Sequence, residues 1–458
     1  MAYLLEKALQ NNKMNYRNIS KNFAASSFAK LVNILEQLFL VPVYLVYWGA
    51  EYYGSWLVLT AIPTTLALSN MGLGSAAIIR ITTDLKKEKV NEAARTLTVS
   101  TKFIAIVFLS VVVTIGATSL FLNDIIAIIH FDFIILACLL GAIGCKNLAE
   151  PLDGYWIANN KAAIPIFLRG LLSLSQFIVT FLILIIGGQA LHVALATLLI
   201  SLGFALGYFL FSWRTFRISP SKEPGEPGTL KLLLSKGLGF QSSAIWQVIL
   251  FQGSIVLIHS LLGASFAAAW GTIRMLGRTG SQFIGLVNRS VLPELLIAIA
   301  SSKLEEARRL HSLNILISLS LGLLTAFIII VFGSTIYEIW TQGRLGDYGR
   351  VWLIIAVGVI LNATWAGSDI VHQAFNQPWR MNLVGIVASI ATLLAMALGL
   401  KISESIYSVA TASLVFETLM ATYVLKRSLF LLEDEALMIM KRGLRGIRRV
   451  LVFRASKN

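Results

Sequence analysis

Long apolar runs separated by short polar stretches dominate the chain, and the runs do not alternate with period two. A bilayer core about 30 Å thick takes roughly 20 apolar residues as a helix. Runs of that length predict twelve spans, at 22–46, 54–79, 101–122, 131–157, 162–187, 190–213, 233–260, 264–297, 312–334, 349–376, 380–400 and 405–426. In lipid only helices and closed barrels satisfy every backbone group. Barrel strands run about 10 residues and alternate, so the pattern predicts an all-α polytopic membrane protein.

Composition sharpens this reading. Of 458 residues, 57% are hydrophobic and 13% charged, with a mean hydropathy of +0.77. Soluble proteins carry about 25% charged residues, so a soluble enzyme, a disordered tail protein and a small secreted module are excluded. The net charge is +15. In so apolar a chain that excess belongs to loops on one membrane face rather than to nucleic-acid binding. Lys7, Lys13, Arg17 and Lys21 precede the first span, and most other basic residues fall in loops on that same side. The opposite loops hold only Arg344, Arg350 and Lys401, so both termini are expected in the cytoplasm. The first apolar run is long enough to span, so no cleavable signal peptide is expected. Lys441, Arg442, Arg445, Arg448, Arg449 and Arg454 stand among Leu, Ile, Val and Phe. They read either as an amphipathic helix on anionic lipid or as a solvated tail. Cys138 and Cys145, seven residues apart in an apolar run, read as small core residues.

The chain also resembles itself. A shift of 214 places Gly49-Ala50 on Gly263-Ala264, Trp56 on Trp270, Glu92-Ala93 on Glu306-Ala307 and Arg95 on Arg309. A shift of 216 places Asp153 on Asp369, Ala158 on Ala374 and Asn160 on Asn376. Residues 219–229 carry three prolines and read as a linker. The expected organisation is a six-helix bundle at 1–218, a cytoplasmic linker at 219–229, a second six-helix bundle at 230–426 and a basic tail at 427–458. An even number of spans per half makes the repeats parallel, related by an axis along the membrane normal with a central cavity between two bundles.

Charges inside the spans are the candidate chemistry, since each costs about 2.5–3.5 kcal/mol at a helix centre. Arg274, Arg278 and Arg289 share one stripe of the eighth span, continued by Ser281 and Gln282. Gly271, Gly277 and Gly285 keep that helix slim. Guanidinium matches two phosphate oxygens at once, so the stripe reads as the lining of an anion cavity. The competing reading pairs these arginines with Glu36, Glu150, Asp153, Glu294, Asp369 or Glu417 to lock helices. Arg289 is near a span end and would also snorkel there. Lys30 in the first span is a further cavity cation, and Arg169 is similar but nearer the surface. The tenth span carries Asn362, Trp365, Asp369, His372 and Asn376 on one face. Trp and Asn suit sugars, and an Asp–His pair at i, i+3 suits proton exchange. The alternative is a polar helix–helix contact. The repeat mate offers Asp153, Trp156 and Asn160. No nucleotide loop and no nucleophile–base constellation is present, so no catalytic residues, cofactor or metal are expected. Gly72-Leu73-Gly74 reads as close helix packing.

The stretch Gly49-Ala50-Glu51-Tyr52-Tyr53-Gly54-Ser55-Trp56, followed by Leu68-Ser69-Asn70-Met71-Gly72-Leu73-Gly74-Ser75-Ala76, resembles the opening of polysaccharide exporters. These are the Wzx-type repeat-unit (O-antigen) flippases of the multidrug/oligosaccharidyl-lipid/polysaccharide exporter superfamily. The span count, the two halves and the basic loops are similar over nearly the whole chain. The resemblance implies a bacterial plasma (inner) membrane protein. It would move undecaprenyl-pyrophosphate-linked oligosaccharide outward on an ion gradient for O-antigen or capsule assembly, with a glycan polymerase as partner. A cationic lumen in that family fits Arg274, Arg278 and Lys30. The alternatives are a cation-coupled multidrug exporter of the same superfamily and a membrane-embedded glycan polymerase or acyltransferase. The former would want an acidic or aromatic cavity, and the latter a large outer loop, whereas the longest outer segment is near 335–348.

Overall fold

A computed structural model describes residues 16–67, 72–121, 133–218, 229–439 and 441–442. Lys7 and Lys13, the Leu68–Met71 part of the motif above, most of the expected linker, and Arg445, Arg448, Arg449 and Arg454 lie outside the described residues. Within them the chain is helical, without strands. The first half runs α1 (Tyr16–Tyr47), α2 (Gly49–Ala67), α3 (Leu73–Lys86), α4 (Val90–Phe121), α5 (Phe133–Ala149), a 3-10 turn (Glu150–Leu152), α6 (Asp153–Ala158), α7 (Ala163–Ile185) and α8 (Ala190–Phe216). The second half runs α9 (Thr229–Leu262), α10 (Ala264–Gly277), α11 (Thr279–Ala300), α12 (Leu304–Thr341), α13 (Val351–Ala374), α14 (Pro378–Ile402) and α15 (Ile406–Leu432).

Among the described residues eleven helical segments are long and apolar enough to cross a bilayer, and the chain is a multi-span membrane protein. The span expected at 54–79 is two helices, α2 and α3, on either side of 68–71. Local chemistry loosens the end of α2. Pro63 removes a backbone donor within α2. The Thr60, Thr64 and Thr65 hydroxyls donate to the carbonyls of Trp56, Thr60 and Ala61, four residues back, which competes with the helix ladder. Gly72, at φ 65°, then opens α3 from the left-handed region. The eighth span is interrupted as well, by the single residue Arg278 between α10 and α11.

Backbone geometry repeats with the sequence. Left-handed φ recurs at Gly49 and Gly263, Glu88 and Ser302, Asn160 and Asn376, and Arg217 and Glu433. These pairs are separated by the same offsets, 214 or 216, that align the sequence. Each member sits at a helix boundary, so the two halves turn at the same places.

The helices cluster into two compact units, one of Met1–Val43 and Leu66–Phe240, the other of Tyr44–Thr65 and Gln241–Asn458. The partition therefore falls within α1, α2 and α9, not in the proline-rich linker. Packing gives the reason. In the first unit Leu233 of α9 is buried against Leu73, Ala76, Ile104 and Phe108. In the second, Gly54 of α2 lies so close to α10 that a Cβ would stand 1.9 Å from the Ala264 carbonyl oxygen. The Tyr44 and Tyr53 rings stack at 5.2 Å beside it.

The helices are turned apolar side out, as lipid requires. On α8 the residues Leu195, Leu199, Leu202, Leu206, Phe209 and Trp213 are exposed, while Ser201, Tyr208 and Ser212 are buried. Between helices in lipid, small and polar side chains supply the contacts. The buried Trp156 indole accordingly donates to Ser212 Oγ at 2.9 Å.

Candidate functional site

In the second unit, polar side chains from α9, α10, α13 and α15 converge. Arg274 near the end of α10 reaches α9, where its Nη1 donates to the Phe251 carbonyl at 2.7 Å and to Ser254 Oγ at 2.8 Å. Ser254 also accepts from the Trp270 indole at 3.2 Å. One guanidinium nitrogen is thus consumed in holding α10 against α9. Arg278 is differently placed. It occupies the break between α10 and α11, is exposed, and enters none of the ion pairs formed among the described residues. Its guanidinium carbon lies 3.9 Å from the centre of the Phe251 ring, with that of Arg274 at 5.0 Å. Aromatic quadrupoles attract cations over their faces, so Phe251 steadies two like charges that would otherwise repel.

A second polar contact centres on Glu417 of α15. The Trp365 indole donates to its Oε2 at 2.7 Å and the Asn362 amide at 3.3 Å. Trp365 belongs to an aromatic group in which Trp246 and Phe416 stack at 5.0 Å and Trp246 meets Trp365 edge-on at 6.2 Å. Glu417, like Arg278, enters none of the ion pairs formed among the described residues.

The first unit holds a bonded polar group of its own. Arg169 Nη2 donates to both oxygens of Asp153, at 3.0 and 2.9 Å, and the Tyr208 hydroxyl donates to Oδ1 at 2.8 Å. Lys146 donates to Gln176 at 2.9 Å, and Gln176 to Ser201 at 3.0 Å. The 216 offset sets Lys146 on Asn362 and Ser201 on Glu417, so the two bonded clusters occupy equivalent positions in the two halves.

The residues singled out from sequence therefore separate into groups. Arg274 and Arg278 are brought together over Phe251, and Trp365 and Asn362 at Glu417, with Trp246 packed against both Phe251 and Trp365. Arg289 is exposed on α11, eleven residues beyond Arg278. Lys30 is exposed on α1, in the first unit. Asp153 is engaged by Arg169 and Tyr208, which is the helix-locking arrangement. Asp369 accepts from Gln373 at 2.9 Å while its Oδ1 is buried without a partner. His372 is fully buried with Nε2 3.4 Å from the Val424 carbonyl, so it is not bonded to Asp369. Among the described residues no group of three His, Cys, Asp or Glu side chains is placed to hold a metal ion. Sequence reading missed Tyr208, Gln176, Ser201, Ser254 and Phe251. Carrying the 216 offset along the whole second shift would have exposed the Lys146/Asn362 and Ser201/Glu417 matches.

No family model matches the chain, and no curated protein matches it. Solved structures do. An inward-facing multidrug resistance MATE family transporter of the MOP superfamily is similar with a TM-score of 0.73, at 13% identity over 89% of this chain and 98% of that one. A MATE in the bent conformation gives a TM-score of 0.63 at 14% identity, covering 91% and 96%. A MOP superfamily transporter from Pyrococcus furiosus, for which reverse polarity of the binding pocket suggests a different function, gives 0.62 at 16% identity, covering 91% and 95%. The chain has the fold of these transporters.

Proposed function

We propose that this chain is a flippase that moves an undecaprenyl-pyrophosphate-linked oligosaccharide across the bacterial plasma membrane, by ion-coupled alternating access, for surface polysaccharide assembly. The observation that carries the reading is Arg278. Its guanidinium lies at the boundary of α10 and α11 within a membrane-spanning segment, seated on Phe251, beside Arg274 and outside every ion pair among the described residues. A guanidinium so placed suits a pyrophosphate, whose paired oxygens match its fork. Intramembrane ionisable residues left available mark substrate pathways by default. The fold shared with transporters supports the class, and the Gly-Leu-Gly opening supports the substrate. The basic loops support a cytoplasmic location for both termini. The tail beyond Arg427 then meets anionic lipid, and a glycan polymerase would receive the flipped unit.

A second reading, a multidrug exporter of the same superfamily, is favoured by one observation. Glu417 amid Trp246, Trp365 and Phe416 is the acid-in-aromatics arrangement that suits an organic cation. A flippase-null strain expressing Arg278→Gln decides between them. The flippase reading expects loss of surface glycan with the variant present in the membrane at normal level. Full surface glycan in that strain, with drug resistance lost when Glu417 is neutralised, would move the assignment to drug export.

A further inference from the structure

The carboxyl end of α8, in the first unit, carries a cationic groove of its own. About 500 Å³ in volume, it is lined by Leu210, Trp213, Arg214, Arg217 and Ile218. Positions 210, 213, 214 and 217 recur at i, i+3, i+4 and i+7, which is one face of a helix. The opposite face holds α8 to the protein. There Ser212 accepts from the Trp156 indole at 2.9 Å, and Phe216 meets the Trp156 ring edge-on at 4.7 Å. The groove face is therefore turned outward, with Leu210 and Trp213 about half exposed and both arginines exposed. It continues the apolar side formed by Leu199, Leu202 and Leu206. Trp213 ends that side, and tryptophan marks the depth of lipid headgroups. Among the described residues neither Arg214 nor Arg217 enters an ion pair or a side-chain hydrogen bond.

The second half closes the equivalent helix end with its own side chains. The 216 offset sets Arg217 on Glu433, and both take left-handed φ as they cap α8 and α15, at 48° and 49°. Arg308 of α12 donates to the Leu432 and Glu433 carbonyls, each at 2.8 Å, and lies 3.9 Å from the Glu433 carboxylate. The 214 offset sets Arg308 on Ala94 of α4. In the first half, then, a cation replaces the acid and a methyl group replaces the cation. The end of α8 supplies about half a negative charge, too little to balance two guanidinium groups. We propose that this groove binds the phosphate headgroup of an anionic phospholipid of the surrounding bilayer, with the acyl chains along the apolar side of α8. The guanidinium forks suit a phosphodiester, and basic pockets at membrane-helix ends take anionic headgroups. Phosphatidylcholine carries the same phosphate but brings an ammonium against the arginines, so the groove rejects it. The site is separate from Arg278 and does not depend on what the protein transports.

The test titrates full-length protein in non-ionic detergent with phosphatidylglycerol or phosphatidylcholine of matched acyl chains, and counts retained lipids by native mass spectrometry. The first phosphatidylglycerol should bind about thirtyfold tighter than phosphatidylcholine, from a factor of roughly five for each arginine. Arg217→Gln should leave about a fivefold preference, and the double variant Arg214→Gln, Arg217→Gln should leave none. The pair Arg214→Lys, Arg217→Lys keeps the charge and should keep most of the preference. Should the double glutamine variant fail to fold, the two single variants and the lysine pair carry the test. Lys86→Gln with Lys87→Gln removes two exposed charges at the end of α3 and should change nothing. An unchanged preference in the folded arginine variants overturns the inference. So does an equal loss in the Lys86 and Lys87 variant, since the attraction would then belong to net charge and not to the groove. Geranyl pyrophosphate serves as a separate probe. If the arginine variants lose it and keep phosphatidylglycerol, the groove belongs to a prenyl-pyrophosphate ligand and the inference fails.

Discussion

Replacing Asp153 with alanine tests whether unit 1 is locked by its ion pair or uses that acid for transport. The variant leaves Arg169 without the carboxylate it contacts at 3.0 and 2.9 Å, and Tyr208 without its acceptor at 2.8 Å. Stranding one partner of a fully buried pair costs about 3–5 kcal/mol, whereas fully exposed pairs are worth about 0–1 kcal/mol. Here the side chains are 31% and 14% exposed, so solvent recovers part of the loss. Glu150 is close enough to act on Arg169 and recovers a further part. The expected cost is about 2 kcal/mol, between those two limits. Equilibrium unfolding in bicelles reads it. The double variant Asp153→Leu, Arg169→Met removes both charges and should return to within about 1 kcal/mol of wild type, because a matched apolar pair replaces a buried ion pair at little cost. It should also retain transport. A double variant that is stable yet inactive would refute the locking argument and return Asp153 to the transport chemistry.

Three further outcomes follow from local geometry. Arg274→Gln loses charged hydrogen bonds to the Phe251 carbonyl and Ser254, and should cost about 1.5–3 kcal/mol in the same unfolding assay. Gly54→Ala sets a Cβ 1.9 Å from a backbone oxygen that has no freedom to rotate away, so purified protein should lose its monodisperse chromatographic peak. Asp347 lies in the exposed loop between α12 and α13. The Gly349 N–H first, then the Ser334 hydroxyl, hold its carboxyl below the usual aspartate range. Its stabilising contribution is present above the ordinary aspartate pKa and is lost as pH falls through the lowered one. Asp347→Asn should therefore flatten the acid limb of the thermal stability profile, and an unchanged limb would contradict the loop geometry.

The spans were legible in sequence because lipid imposes a length and an apolar composition on any crossing helix, and α7, α8 and α14 fall close to the expected limits. The breaks were not. A helix that stops at Arg278 for one residue keeps its apolar composition, and Arg278 still bonds back to the Arg274 carbonyl. Hydropathy does not register such a change. The arginines stood out because charge in a span is rare. Their unlike roles depended on Phe251 and Ser254, which are ordinary residues of an apolar helix until α10 is laid against it. Asp153 and Asp369 aligned in sequence yet differ in partners, because Arg169 has Gly385 at the equivalent position. Asn362 and Trp365, read as sugar contacts, share a face as expected. What that face meets is an acid from α15, fifty-two residues beyond Trp365, which periodicity within one helix does not reveal.

The central claim is that Arg278 carries an anionic headgroup across the membrane. Its most direct measurement is flipping of a fluorescent prenyl-pyrophosphate sugar in proteoliposomes, followed by quenching of the label exposed on one leaflet, for wild type and Arg278→Gln. The account predicts label exchange with the wild-type protein and background exchange with the variant. Equal exchange by both proteins would contradict it.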